Sequence, residues 1–171
     1  RKTLVFTTSV HSAHRLAEII DRYTKPGSAF AIDGMTPKDE RRKLLKAYHD
    51  GEYQYYCNVG VATEGYDEPA IACVVMGRPT KSRSLFAQML GRGTRGGPNW
   101  PIPGKTDLYV LDFVGNSGRH DVVSALDILG GDYSDDEMDR IKQVAVESDD
   151  PISMDQAASE AQRRHDAQLR E

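Results

Sequence analysis

Between Lys2 and Val114, short apolar runs keep alternating with segments of helical periodicity, and few architectures accept that order. "TLVFT" (3–7) reads as a buried strand, and "AHRLAEIIDRY" after it sets Leu16, Ile19, Ile20 and Tyr23 on one helical face. "AFAID" (29–33) is a second strand, followed by the helical stretch "GMTPKDERRKLLKAYHDG". There Thr36 is expected as N-cap, Pro37 at the first helical position, Asp39 in the first turn and Gly51 at the C-terminal end. "QYYCNV" (54–59) and "IACVVMG" (71–77) are strands joined by a loop, "SRSLFAQMLGR" is a helix capped by Ser82 or Ser84, and "TDLYVLDFV" (106–114) is a last strand. Buried strands alternating with helices predict an α/β fold of three layers, a parallel sheet with helices on both faces.

From about residue 119 the strand signal stops. "HDVVSALDILGG", "SDDEMDRIKQVAVE" and "SMDQAASEAQRRHDAQLRE" are helix candidates divided by Gly130-Gly131 and Pro151. The last is polar nearly all round, so it is either marginal or docked on something else. The expected division is an α/β domain over residues 1–118 and a helical, acidic C-terminal extension over 119–171. Charge divides somewhat earlier along the chain. Residues 1–106 carry 16 Lys and Arg against 10 Asp and Glu, whereas residues 107–171 carry 6 against 16. A mildly basic body permits phosphate contacts without demanding them. The extension could be a partner-binding surface, a brace on the domain or a linker.

No run approaches the roughly 18 apolar residues of a membrane span. The opening "RKTLVFTTSV" is basic and then apolar, but its apolar stretch is too short and too threonine-rich for a signal peptide. The chain has no initiator Met and starts almost directly in a strand, so it is expected to be a piece of something longer. Cys57 and Cys73 both fall within apolar strand runs, as small buried residues in a reducing setting would. The five His are scattered, His11 and His14 read as surface residues, and no metal site is expected.

In an open parallel sheet, ligands gather where strands end, which directs attention to the loops after them. "TTSVHS" puts Thr8 and Ser9 at a helix start, where backbone N–H groups can meet a phosphate or where Ser9 simply caps the helix. "VATEGYDEPA" (61–70) holds Gly65, which permits close backbone approach, and Asp67, which can accept ribose hydroxyls; the same residues suit a plain connecting turn. "QMLGRGTRGG" (88–97) sets Arg92 and Arg95 three apart on an expected helix, so both guanidiniums could fork onto one anion, with Gln88 one turn earlier. Alone, such a pair also fits a solvated basic face. "PGKT" (103–106) has the ending of a P-loop, but Asn99 stands where its first Gly should be and a strand, not a helix, follows.

In order, these segments resemble the C-terminal RecA-like domain of superfamily two helicases over about residues 2–115. "TLVFTTSVHSAHRLAEII" is similar to that family's motif IV and its following helix. The stretch through "YYCNVGVATEGYDEPAI" is similar to motif V, and "RPTKSRSLFAQMLGRGTR" to motif VI, of the form Q-x-x-G-R-x-x-R. Gly34, Arg41, Tyr48 and Gly51 keep the spacing of the family's "HG…R…F…G" pattern, with Asp33 and Tyr48 as departures. "QMLGRGTR" followed by "LDFVGN" most resembles the restriction-enzyme and phage branch, which acts on double-stranded DNA; DEAD-box motif VI begins with His.

The resemblance implies the second motor domain of an ATP-dependent DNA helicase or translocase. Arg92 and Arg95 would be arginine fingers reaching the γ-phosphate of Mg-ATP held mainly by an N-terminal RecA-like domain. Such a residue is worth roughly 10³–10⁵ in rate. Gln88, Gly65, Asp67 and Gly91 would lie against the nucleotide, while Thr8, Ser9, Gly34 and Thr63 would meet the nucleic-acid backbone, without sequence preference. Gly93, Gly96 and Gly97 would let the helix end approach and withdraw. Without Walker A and Asp-Glu-x-x motifs the chain alone should not hydrolyse ATP. A cytoplasmic setting in a bacterial or phage-infected cell goes with this branch. The competing readings are an RNA helicase domain, a non-catalytic scaffold derived from one, and an unrelated flavodoxin-like binding domain.

Overall fold

The computed structural model describes residues 1–59, 66–96, 101–113, 133–148, 150 and 152–169. Five parallel strands form one sheet: β1 (Lys2–Thr7), β2 (Ala29–Ile32), β3 (Tyr55–Val59), β4 (Ile71–Met76) and β5 (Tyr109–Asp112), in the order β2-β3-β1-β4-β5. Between them run α1 (Val10–Tyr23), α2 (Lys38–Asp50) and α3 (Arg83–Gly91). Alternation along the strands supplies both cores. Leu4, Phe6, Phe30, Ile32, Tyr56, Val74 and Met76 cluster with Tyr48 of α2 and with Phe86, Met89 and Leu90 of α3. Val5, Ala29 and Cys57 cluster with Ala13 and Ala17 of α1. Helices therefore cover both faces of the sheet, as the sequence predicts.

Three rings lock α2 against the β2–β3 edge. Phe30 stacks on Tyr56 at 4.8 Å, and Tyr48 meets Phe30 edge-on at 5.6 Å. The Tyr48 hydroxyl, fully buried, donates to the Thr3 carbonyl at 2.9 Å, so the polar tip of this aromatic is satisfied. Burying each of these large side chains contributes about 1.5–3 kcal/mol. Burial also pushes the Cys57 thiol up to about 12, which leaves it an inert packing residue.

Helix ends differ in part from expectation. Ser9 caps α1 by accepting from the Ser12 N–H, Ser82 rather than Ser84 caps α3, and Gly51 ends α2 at φ +86°. Thr36 does not cap α2, which starts one residue later with Pro37 in the N-cap position. The Asp33 carboxylate takes the Met35 and Thr36 N–H groups at 2.7 and 3.0 Å, closing its own turn before the helix begins.

Two further helices follow, α4 (Asp135–Glu147) and α5 (Met154–Gln168), each opened by a capping box, Ser134 with Glu137 and Ser153 with Gln156. The polar last helix is docked: Ala157 and Ala161 pack with Ile141 and Val144 of α4 in a cluster of their own. Small residues on α5 let the two helices approach closely, which a scan for large apolar residues misses. The expected helix over 120–131 lies outside the described residues.

Candidate functional site at the end of helix α3

A parallel sheet has two functional edges, and the topology assigns the expected residues to different ones. Thr8, Ser9 and Gly34 follow the ends of β1 and β2, at the carboxyl edge. Helix α3 starts after β4 and returns along the sheet, so its end lies where strands begin. There, Asp107 just ahead of β5 receives the guanidinium of Arg1 just ahead of β1. Residues 66–70 lie at the same edge: Glu68 meets Lys2 at the start of β1, and Ile71 pairs with Lys2. Arg92, Arg95, Tyr66 and Asp67 therefore sit at the amino edge, about 20 Å from Thr8 and Ser9 by the length of a six-residue strand. For the arginines this overturns the expectation of a site at the carboxyl ends of strands. The reason is connectivity: only a helix, or a return loop as long, joins parallel neighbours.

The arginine pair is not helical either. Helix α3 stops at Gly91, Arg92 is its C-cap, and Arg95 lies beyond it. The turn tightens as Arg92 N–H bonds Met89 O at 3.3 Å and Gly93 N–H bonds Leu90 O at 2.8 Å. Gly93 then inserts where a Cβ would lie 2.6 Å from Leu108 Cδ1 and 2.8 Å from Val74 Cγ2. Gly93 is thus a fixed packing point and not the hinge expected of it. Gly96, at φ +94°, takes the left-handed turn that follows. Gly97 lies outside the described residues.

Even so, the two arginines converge on one loop. Arg92 Nη1 donates to the Tyr66 carbonyl at 3.1 Å, and Arg95 Nη1 pairs with the Asp67 carboxylate. The Arg95 and Asp67 side chains are 38% and 51% exposed, so solvent screens this pair and it is worth about 0–1 kcal/mol. Arg92 Nε and the Tyr66 hydroxyl are buried with no hydrogen-bond partner among the described residues, and burial raises the Tyr66 hydroxyl far above its ordinary value. Gln88 is exposed on α3 one turn before Arg92, and a Cβ on Gly91 would meet nothing within 4 Å. Gly65 and Thr63 lie outside the described residues.

At the carboxyl edge, the Ser9 hydroxyl is engaged in capping, 3.1 Å from the Ser12 N–H and 2.7 Å from the Ser12 hydroxyl. Thr8 is exposed beside it, and Gly34 is exposed in the Asp33 turn, with open space around its Cα. His14 Nε2 lies 2.9 Å from Asp33, which ties α1 to that turn. Arg41 Nη2 donates to the Asp33 carbonyl at 2.9 Å, fixing the turn from the α2 side. The His14 ring and the two backbone N–H bonds hold the Asp33 carboxyl below the usual carboxylate range.

Two residues that sequence reasoning passed over organise the amino edge. Glu68 is buried, 3.3 Å from Lys2 Nζ and 2.9 Å from His49 Nδ1, and accepts from the Ala70 N–H at 3.1 Å. It anchors the loop that carries Tyr66 and Asp67. Lys105, from "PGKT", donates to the carbonyls of Pro69 at 3.0 Å, Gly93 at 2.6 Å and Arg95 at 2.6 Å. Its ammonium is committed to backbone, so it has no resemblance in role to a P-loop lysine. The available signal was position alone: an acid between Asp67 and Pro69, and a lysine at a Pro-Gly turn.

Comparison with known proteins gives the family and the fold. Residues 1–97 match the helicase conserved C-terminal domain. IRC3 of Saccharomyces cerevisiae, which bears the name of an ATP-dependent helicase, is 40% identical over 104 residues, 61% of this chain and 14% of that protein. The DNA 3'-5' translocase XPB2 of Sulfurisphaera tokodaii is 35% identical over 92 residues, 53% of this chain and 19% of that one. The matched stretch thus spans a fifth or less of these relatives. Among solved structures, the yeast DEAD-box splicing factor Prp28 superposes with a TM-score of 0.55 at 20% identity, over 66% of this chain and 23% of that one. The parallel five-stranded sheet is the RecA-like fold of those domains, and the chain belongs to the family of the helicase conserved C-terminal domain, the C-terminal RecA-like domain of superfamily two helicases.

Proposed function

We propose that this chain is the second motor domain of an ATP-dependent DNA helicase or translocase, with residues 1–118 as the motor and 119–171 as an appended helical extension. In this reading Arg92 and Arg95 stabilise the charge that develops on the γ-phosphate of Mg-ATP, held mainly by a preceding RecA-like domain. The observation that carries it is the convergence of both arginines, from beyond the end of α3, on the Tyr66–Asp67 loop. A guanidinium resting on a solvent-exposed carboxylate can exchange that partner for a phosphate oxygen at little cost. Asp67, released, is then available to a ribose hydroxyl, and Gln88, Gly91 and Gly65 would lie against the nucleotide. The relatives named for an ATP-dependent helicase and a DNA translocase support this choice of chemistry and of DNA.

Thr8, Ser9, Gly34 and Thr63 would meet the nucleic-acid backbone, sequence-independently. The carboxyl edge carrying Thr8, Ser9 and Gly34 is separate from the arginine edge, so one domain can hold nucleotide and nucleic acid at opposite ends of its strands. ATP would close the cleft and hydrolysis would release it. The chain alone, carrying half of the composite site, would be inactive.

The test is the ATPase rate of the full-length protein with duplex DNA, with RNA and with neither, for wild type, Arg92→Ala and Arg95→Ala. Stimulation by duplex DNA and a loss of at least about a hundredfold in both variants, with ATP still bound, is the expected result. Near-wild-type rates in both variants would overturn the arginine assignment, and stimulation by RNA alone would overturn the choice of DNA.

A further inference from the structure

Lys105 plays no part in the roles assigned above, yet its surroundings are built around it. A lysine ammonium carries three N–H donors and no acceptor. Here it meets three carbonyls, those of Pro69, Gly93 and Arg95, at 3.0, 2.6 and 2.6 Å. These come from two segments far apart in sequence. Pro69 closes the loop that presents Tyr66 and Asp67, while Gly93 follows Arg92 directly and Arg95 is the second arginine itself. The lysine is itself aimed by a tight turn, with its N–H on the Ile102 carbonyl at 3.0 Å and Gly104 at φ +77°. Desolvation pushes its pKa below the ordinary lysine value. Partly burying a cation among neutral carbonyls is costly, and a leucine could fill the space more cheaply. What the charge adds is convergence, because three carbonyl dipoles otherwise repel one another at one point.

We propose that Lys105 is the positioning residue of the arginine pair: its ammonium gathers the Pro69, Gly93 and Arg95 carbonyls and so sets the backbone from which Arg92 and Arg95 reach the nucleotide. This rests on reading those arginines as the γ-phosphate ligands. Gly93 fixes one end of the segment by packing and Lys105 fixes the other by charge. The loop opposite is held at Pro69 by the same ammonium and at Glu68 by Lys2 and His49. Loss of the ammonium leaves both guanidiniums in place chemically but frees the backbone that aims them, and misplacement by about 1 Å is enough to cost on the order of a hundredfold in rate.

The experiment measures DNA-stimulated ATPase kcat and KM in the full-length protein for Lys105→Met, Lys105→Arg, Arg95→Ala and the double variant Lys105→Met/Arg95→Ala. The expected result is a kcat lowered about 10- to 100-fold in Lys105→Met, with KM for ATP within about twofold of wild type. Because Lys105 acts through the arginines, its loss should cost less in the Arg95→Ala background, where only Arg92 remains to be aimed, than in wild type. Lys105→Arg keeps a cation in the loop, but no nitrogen of a planar guanidinium can donate to three converging carbonyls, so it should remain at least about threefold slow. If Lys105→Met does not fold, Lys105→Arg with Arg95→Ala makes the same cycle. Amide hydrogen exchange at Gly93, whose N–H bonds the Leu90 carbonyl at 2.8 Å and whose own carbonyl Lys105 holds, should quicken in the folded Lys105 variant. A Lys105 variant within about threefold of wild type beside a collapsed Arg95→Ala, or losses that multiply in the double variant, overturns the positioning role. A wild-type rate in Arg95→Ala instead removes the γ-phosphate role of Arg95 and, with it, the positioning role of Lys105, so the two failures appear in different variants.

Discussion

Replacing Gly93 with alanine puts a methyl group into space that two other side chains already hold. Its Cβ would lie 2.6 and 3.0 Å from the two Leu108 methyls and 2.8 Å from Val74 Cγ2. Ordinary carbon contacts are about 3.5–4.0 Å, so the overlap approaches 1 Å on both sides. Val74 is fully buried in β4, hydrogen-bonded between β1 and β5, and cannot retreat without breaking a ladder. Leu108 can rotate, but it packs against the same core. The chain at Gly93 must move instead, and overpacking of this kind costs about 2 kcal/mol. For a chain of 171 residues that lowers Tm by about 4–8 °C. Gly91→Ala is the matched control, because a Cβ there meets nothing within 4 Å and it closes α3. Alanine at that place should be neutral or stabilise by up to about 1 kcal/mol. Thermal and urea unfolding of both variants, followed by circular dichroism, reads the difference. If Gly93→Ala were as stable as wild type, or Gly91→Ala as damaging as Gly93→Ala, the packing account of where α3 ends would be refuted.

Two further outcomes follow from the anchors of the loops. Glu68→Gln removes the buried partner of Lys2, and should cost about 3 kcal/mol, the lower end for a broken buried pair because Lys2 keeps the His49 carbonyl at 3.0 Å; an unchanged urea midpoint would show that Glu68 does not brace the loop. Asp21 accepts the N–H groups of Gly27, Ser28 and Ala29 at 3.0, 3.0 and 2.8 Å, and Asp21→Ala should cost about 2 kcal/mol, chiefly by orphaning the N–H of the buried Ala29. Although desolvation pushes the Asp21 carboxyl up, these bonds outweigh it and hold the pKa below the ordinary 3.8. A lowered folded-state value means stability that is fully present above 3.8 and lost as pH falls through the folded value. Tm measured down through that range should therefore fall less steeply in Asp21→Asn than in wild type, and parallel curves would count against the assignment.

Strands and helices were legible because their signals are local. Apolar runs marked β1, β3 and β4 to within a residue at either end, and Gly51 marked the end of α2 through the left-handed turn only glycine takes freely. Legibility failed wherever a distant group entered. Thr36 has the right chemistry for an N-cap, but its hydroxyl accepts from the Asp33 N–H at 3.1 Å instead. The spacing of Arg92 and Arg95 fits one helical face, but Val74 and Leu108 draw Gly93 into a gap and end the helix before both are on it. "PGKT" invited comparison with phosphate-binding loops, and no spacing rule points its lysine at Pro69, Gly93 and Arg95.

By itself the sequence determined the order of elements, the apolar faces that make a parallel sheet, and the motifs that place the chain in its family, since periodicity and short motifs are carried by neighbours in the chain. Only the tertiary structure decided that the arginines stand at the edge where strands begin, which loop receives them, and what holds that loop. Those are meetings of residues from Arg1 to Asp107, fixed by sheet connectivity and by backbone carbonyls that converge on Lys105 only when the chain is folded.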